Sequence, residues 1–150
     1  NDSKNNKLQI MIKILLKIIL ILYIFSNYLF AKSDHLQEGI NLYEKNRLED
    51  ARFKFEQDIV FNPKSELSYL YLSKIFNKQD RKDLEEQNLN TVMLLNPKNE
   101  EAIYNLAKLK LASSDYKKSK ELNKKLKTVC NDFCNKSDEL KIEIDNLSKK

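Results

Sequence analysis

The sequence predicts an all-α solenoid of stacked helical hairpins, and three observations lead there. Phe61-Asn62-Pro63-Lys64 returns as Leu95-Asn96-Pro97-Lys98, an offset of 34 residues that suits one helix-turn-helix unit. Apolar residues recur at helical spacing through the body: Leu36, Ile40 and Tyr43; Ala51, Phe55 and Ile59; Leu89, Val92 and Met93. One Gly and two Pro among 150 residues leave room only for short connections.

The first element is a targeting segment, residues 1–31. Lys4, Lys7, Lys13 and Lys17 precede the apolar run Ile18–Phe25, and Ser26–Ala31 leads to the charged start Lys32-Ser33-Asp34. The charge-free span Ile18–Ala31 is 14 residues, whereas a bilayer core takes roughly 20 in a helix. A signal removed after Ala31 is therefore expected. The alternative is a retained anchor beginning near Ile10, with Lys13 and Lys17 reaching back to the headgroups. Met11 opens a signal of normal proportions, so residues 1–10 read as an upstream extension.

Charge divides along the same line. Residues 1–31 hold four Lys and one Asp, leaving 23 Lys and Arg against 21 Asp and Glu, about +2, for the body. With the signs interspersed, this excludes the basic footprint of a nucleic-acid-binding domain.

Aligned on the prolines, the body forms three units, 32–65, 66–99 and 100–133, followed by 134–150. Helices are expected near 34–46, 48–61, 65–78, 81–95, 99–112 and 115–130. Pro63 and Pro97 cannot continue a helix and open the next unit with a fixed φ. A seventh helix, near 137–148, carries Leu140, Ile144 and Leu147 on one stripe. It is expected to cap the uncovered face of the last unit, as solenoid ends require.

These residues resemble the tetratricopeptide repeat (TPR) family. Gly39, Ser73 and Ala107 fall at that family's small-residue position 8, and Ala51, Phe55 and Pro63 match positions 20, 24 and 32. The third unit ends without proline, Asp58 sits at position 27, and Glu85 and Asn123 stand where packing residues are usual. The resemblance implies a right-handed α-solenoid with a concave groove lined by the first helix of each unit. Carried over residue by residue, it assigns Leu36, Ile40 and Tyr43 to that groove from unit one. Unit two contributes Leu70, Tyr71, Lys74 and Asn77; unit three contributes Tyr104, Asn105, Lys108 and Leu111. Lys74 and Lys108 are candidates to anchor a carboxylate. The two-carboxylate clamp of cytosolic chaperone adaptors is not expected, because Leu36 and Ile40 stand at its basic and Asn positions.

Catalytic chemistry is not expected. Gly-x-Ser-x-Gly, His-Glu-x-x-His and phosphate-loop patterns are all missing, and one His with two Cys makes no metal or cofactor set. His35 reads as a surface or capping residue, and Glu49-Asp50, Glu85-Glu86 and Glu100-Glu101 as exposed or first-turn carboxylates. Cys130 and Cys134 straddle the turn into the last helix. They permit one bridge in an oxidising compartment or two reduced thiols. Lys117, Lys118, Lys120, Lys124, Lys125 and Lys127 put a basic face on the sixth repeat helix, readable as a solvated surface or as a patch for an acidic partner or lipid headgroups. The expectation is a non-enzymatic adaptor on the periplasmic or extracytoplasmic side, binding a peptide segment or helix of an envelope protein. The alternative is the same array tethered to the membrane through residues 11–31.

Overall fold

The computed structural model describes residues 11–23 and 35–148. The cleavage region around Ala31 lies outside the described residues. The chain divides into two units, 1–34 and 35–150. In the first, residues 11–23 form a helix, α1, whose large apolar side chains, Ile12 to Tyr23, stand exposed along its length. No described helix is long and apolar enough to cross a membrane.

The second unit holds seven helices: α2 (His35–Glu44), α3 (Leu48–Phe61), α4 (Glu66–Lys78), α5 (Lys82–Leu95), α6 (Glu100–Ala112), α7 (Tyr116–Val129) and α8 (Cys134–Leu147). They pack as the hairpins α2/α3, α4/α5 and α6/α7, with α3 on α4, α5 on α6 and α7 on α8 between hairpins. First helices also meet directly, α2 with α4 and α6 with α8. This is a chain of nearest-neighbour contacts, as a solenoid requires.

Each hairpin turns the same way, and the turn repeats every 34 residues. Asn46, Asp80 and Ser114 take positive φ of 57°, 54° and 61°. In each case that residue's N–H bonds the carbonyl three back, and the next N–H bonds five back: Asn46 to Tyr43 with Arg47 to Leu42, Asp80 to Asn77 with Arg81 to Phe76, Ser114 to Leu111 with Asp115 to Lys110. This is the Schellman closure, which usually takes Gly at the left-handed residue. Asn and Asp tolerate that conformation better than Ser does. Ser114→Gly is therefore expected to stabilise the chain by about 1 kcal/mol. Ser113→Gly, one residue earlier at φ −91°, should give no gain in the same thermal melts.

Between hairpins the chain leaves the helix at Asn62 and Asn96, both outside the helical region (φ −133° and −137°), as the following prolines favour. The third junction has no proline. There Cys130 takes the place of Asn62 and Asn96, and a disulfide joins it to Cys134, the first residue of α8. A carboxylate holds the turn as well. Glu100 accepts the backbone N–H groups of Asn131 (2.8 Å), Asp132 (3.1 Å) and Phe133 (2.9 Å). Those bonds hold its pKa below the usual carboxylate range. One unit earlier, Glu66 accepts from the amides of Asn96 and Asn99. With the turn gripped so closely, α8 starts at Cys134, ahead of the expected 137.

Two apolar clusters form the core. Ala51, Phe55, Leu72, Ile75 and Phe76 bind the first hairpin to the second. A larger cluster runs from Leu70 and Leu89 through Ile103, Leu106 and Leu126 to Leu140 and Ile144 on α8. Gly39 has no side chain for a physical reason: a Cβ there would lie 2.7 Å from Cε1 of Phe55. α8 continues the 34-residue register with Lys141 where Gly39, Ser73 and Ala107 stand, a long side chain where a second helix would need close approach.

Candidate functional site

The first helices of the three hairpins wall an open trough of about 540 Å³. α2 contributes Tyr43, α4 contributes Ser73, Lys74, Asn77 and Lys78, and α6 contributes Glu101, Asn105, Lys108, Leu109 and Ala112. Asp80 in the turn and Lys82 and Glu85 on α5 close one side. The stacking that buries one stripe of each first helix leaves the adjoining stripe facing this space.

Of the groove residues read from the sequence, the structure brings Tyr43, Lys74, Asn77, Asn105 and Lys108 together on the trough. Leu70 and Leu111 do not face it. They are 3% and 4% exposed and belong to the core, because apolar partners of neighbouring helices cover them. Leu36 and Ile40 are half-buried against the first cluster. Tyr71 stacks on Phe55 with ring centroids 5.0 Å apart and meets Tyr43 edge-on at 5.2 Å. Tyr104 lies edge-on to Phe133 at 5.7 Å. These two tyrosines are packing residues between neighbouring elements.

Electrostatics within the trough are largely settled internally. Lys74 pairs with Glu101 at 2.8 Å and Lys108 with Glu143 on α8 at 2.7 Å, each a rung from one first helix to the next. Both ammonium groups therefore already hold a carboxylate of this chain. Lys78 sits over the ring of Tyr43, 4.5 Å from its centroid. Lys82 lies 3.8 Å from Asp80.

The sequence reads Glu85 as an exposed or first-turn carboxylate, and the structure adds burial to the first-turn placement. It does lie in the first turn of α5, but it is only 4% exposed. One of its oxygens accepts from Nδ2 of Asn77 at 3.0 Å. Burial raises its pKa above the ordinary value, with the Asn77 hydrogen bond and the Lys82 charge pulling the other way. The sign of its effect on stability follows. A carboxyl whose folded value is raised binds its proton more tightly in the folded chain, so stability falls as pH climbs through the unfolded value toward the folded one. Glu85→Ala, which copies Ala51 of the first unit, is expected to raise the melting temperature at pH 7. The gain should vanish below about pH 4, where the carboxyl is protonated in both states.

The other cluster of charge is a second groove of about 410 Å³ between α7 and α8, lined by Lys120, Lys124, Lys127, Asp138, Lys141 and Asp145 beside Asn123, Ser137 and Ile144. Lys127 bonds Asp138 and Lys141 bonds Asp145, both at 2.7 Å. Asn123 and Ser137, buried at its floor, satisfy each other: Asn123 Nδ2 donates to the Ser137 carbonyl and Ser137 Oγ to Asn123 Oδ1, both at 2.9 Å. That exchange is how a polar residue fits the packing position of unit three. Asp58 is accommodated similarly, accepting from Ser68 at 2.6 Å. His35 opens α2 and stacks on Phe61. Among the described residues no group of three potential metal ligands converges.

Reading from the sequence missed Ser73, Lys78, Asp80, Lys82, Glu85, Glu101, Leu109 and Ala112. The repeat-position argument followed one stripe of the first helix, whereas the trough also takes the hairpin turn and the start of the second helix. The signal available was Glu85 itself, an acid where the other units carry Ala51 and Ser119.

No family model matches this chain, and no curated protein matches it. Solved structures do. The type III secretion chaperone SycD of Yersinia enterocolitica, in complex with a peptide of the translocator YopD, superposes with a TM-score of 0.69 at 15% identity, covering 77% of this chain and 92% of that one. The TPR2B domain of yeast Sti1 gives 0.70 at 15% identity over 77% and 99%. The Sgt2 TPR domain of Aspergillus fumigatus gives 0.67 at 14% identity over 79% and 82%. The chain has the tetratricopeptide-repeat fold: three helical hairpins and a terminal single helix.

Proposed function

We propose that this chain is a non-enzymatic adaptor that holds an extended segment or helix of a partner protein in the trough of α2, α4 and α6. The observation that carries the reading is that one open space is walled by all three first helices and floored by polar and charged side chains. Such a surface offers hydrogen bonds and apolar contact along a chain without any catalytic group. The likeness to structures solved as complexes, SycD with a YopD peptide and Sti1 TPR2B in its Hsp70 complex, supports it.

The same proposal sets the adaptor on the extracytoplasmic side of a bacterial membrane, with residues 11–31 as the export segment. The bonded state of Cys130 and Cys134 supports this, because disulfides persist in oxidising compartments. A second reading, retention of the segment as a tether, is favoured by the exposed apolar side chains of α1. Crosslinked affinity purification from the native envelope, with the mature N-terminus sequenced alongside, tests both. An N-terminus at Lys32 on a protein recovered with discrete partners is expected for the soluble adaptor. Membrane recovery with residues 11–31 intact would shift the account to the tether, and a cytosolic, partner-free protein would end it.

A further inference from the structure

Glu85 is the most buried charged residue of the trough lining. Its carboxylate lines the trough while being 4% exposed. Lys74, Lys108 and Lys82 are engaged with Glu101, Glu143 and Asp80. The hydrogen bond to Glu85 comes from a neutral amide, that of Asn77, through one oxygen. A carboxylate taken out of water needs a paired cation or several donors to recover its hydration; here one amide bonds it, and the Lys82 charge acts on it without an ion pair. The unit-one equivalent, Ala51, shows that the fold places no demand for a carboxylate at this position.

We propose that Glu85 is a specificity-determining residue of the trough, recognising a basic side chain, Lys or Arg, of the segment bound there. The inference rests on the trough being the partner site. Geometry narrows the ligand. Asn77 takes one of the carboxylate's acceptor sites at Oε1, and Oε2 has no hydrogen bond among the described residues, so the group can still accept from a Lys ammonium or an Arg guanidinium. A metal ion is a poor occupant, because no second and third ligand converge with it among the described residues. The bound segment therefore runs along α4 and α6 with its basic residue inserted beside Asn77, where a charge-assisted hydrogen bond replaces the missing hydration of Glu85.

The test uses phage-displayed random 12-residue peptides, panned on the full chain, on Glu85→Gln and on Asn105→Trp, which fills the trough. Glu85→Gln keeps the shape and an acceptor for Asn77, and circular dichroism confirms that each variant is folded. The expected result is that the full chain selects peptides with Lys or Arg at one fixed register, lost on Asn105→Trp. Replacing that basic residue by Ala should weaken binding to the full chain about tenfold or more. The same replacement should leave binding to Glu85→Gln nearly unchanged. Trough-bound peptides with no basic register, or with the same loss in both proteins, would overturn this proposal and leave the adaptor reading standing. Failure of the full chain to hold any peptide that Asn105→Trp abolishes would overturn both.

Discussion

Phe55→Ala should cost about 3–5 kcal/mol and unravel the first hairpin while the rest of the array stays folded. Phe55 has no exposed surface, fills the space that Gly39 leaves, and stacks on Tyr71. Removing the ring leaves a void that the small glycine opposite cannot fill. The loss is local because the cluster around Phe55 is separate from the larger one that runs to α8. Hydrogen exchange is the measurement: amides of α2 and α3 should lose protection, whereas those of α6, α7 and α8 keep theirs. Uniform loss over all seven helices would show one cooperative core instead of two.

Leu106→Ala should have the opposite distribution. Leu106 is 2% exposed on α6, the helix that touches α5, α7 and α8, so its cavity opens at the centre of the larger cluster. A cost of about 3 kcal/mol is expected, within the range for buried Leu truncation and a large part of the stability of a short domain. Protection should fall in the second and third hairpins and in α8 together, and the melting temperature should drop further than for any substitution on the trough wall. A melt within a degree or two of the parent would contradict the placement of Leu106.

The hairpin register was legible because it is written in strong signals. Pro63 and Pro97 force a helix end, and the Gly39, Ser73 and Ala107 series marks close helix approach. Boundaries followed to within a residue or two for α3 to α7. Subtler features were not legible for physical reasons. The left-handed turn residues are Asn46, Asp80 and Ser114, three different side chains that share a backbone conformation and no composition signal. Leu70 and Leu111 look like groove residues by position, yet only the stacking of neighbouring hairpins decides that they are covered. Tyr71 and Tyr104 carry both packing and recognition potential in the sequence, and their ring contacts resolve the choice toward packing. Glu100 read as a first-turn carboxylate, but its main partners are backbone N–H groups more than thirty residues away. Long-range bonds of that kind leave no periodic trace.

On the proposed function, a partner chain lies in the trough of α2, α4 and α6. Site-specific photo-crosslinking in the native cell tests it most directly, with the photoreactive residue placed at Asn105 on the trough or at Gln87 on an exposed face of α5. Discrete crosslinked protein species from Asn105, and none from Gln87, are expected. Crosslinks from Gln87 alone, or none from Asn105 in a folded protein, would contradict the claim.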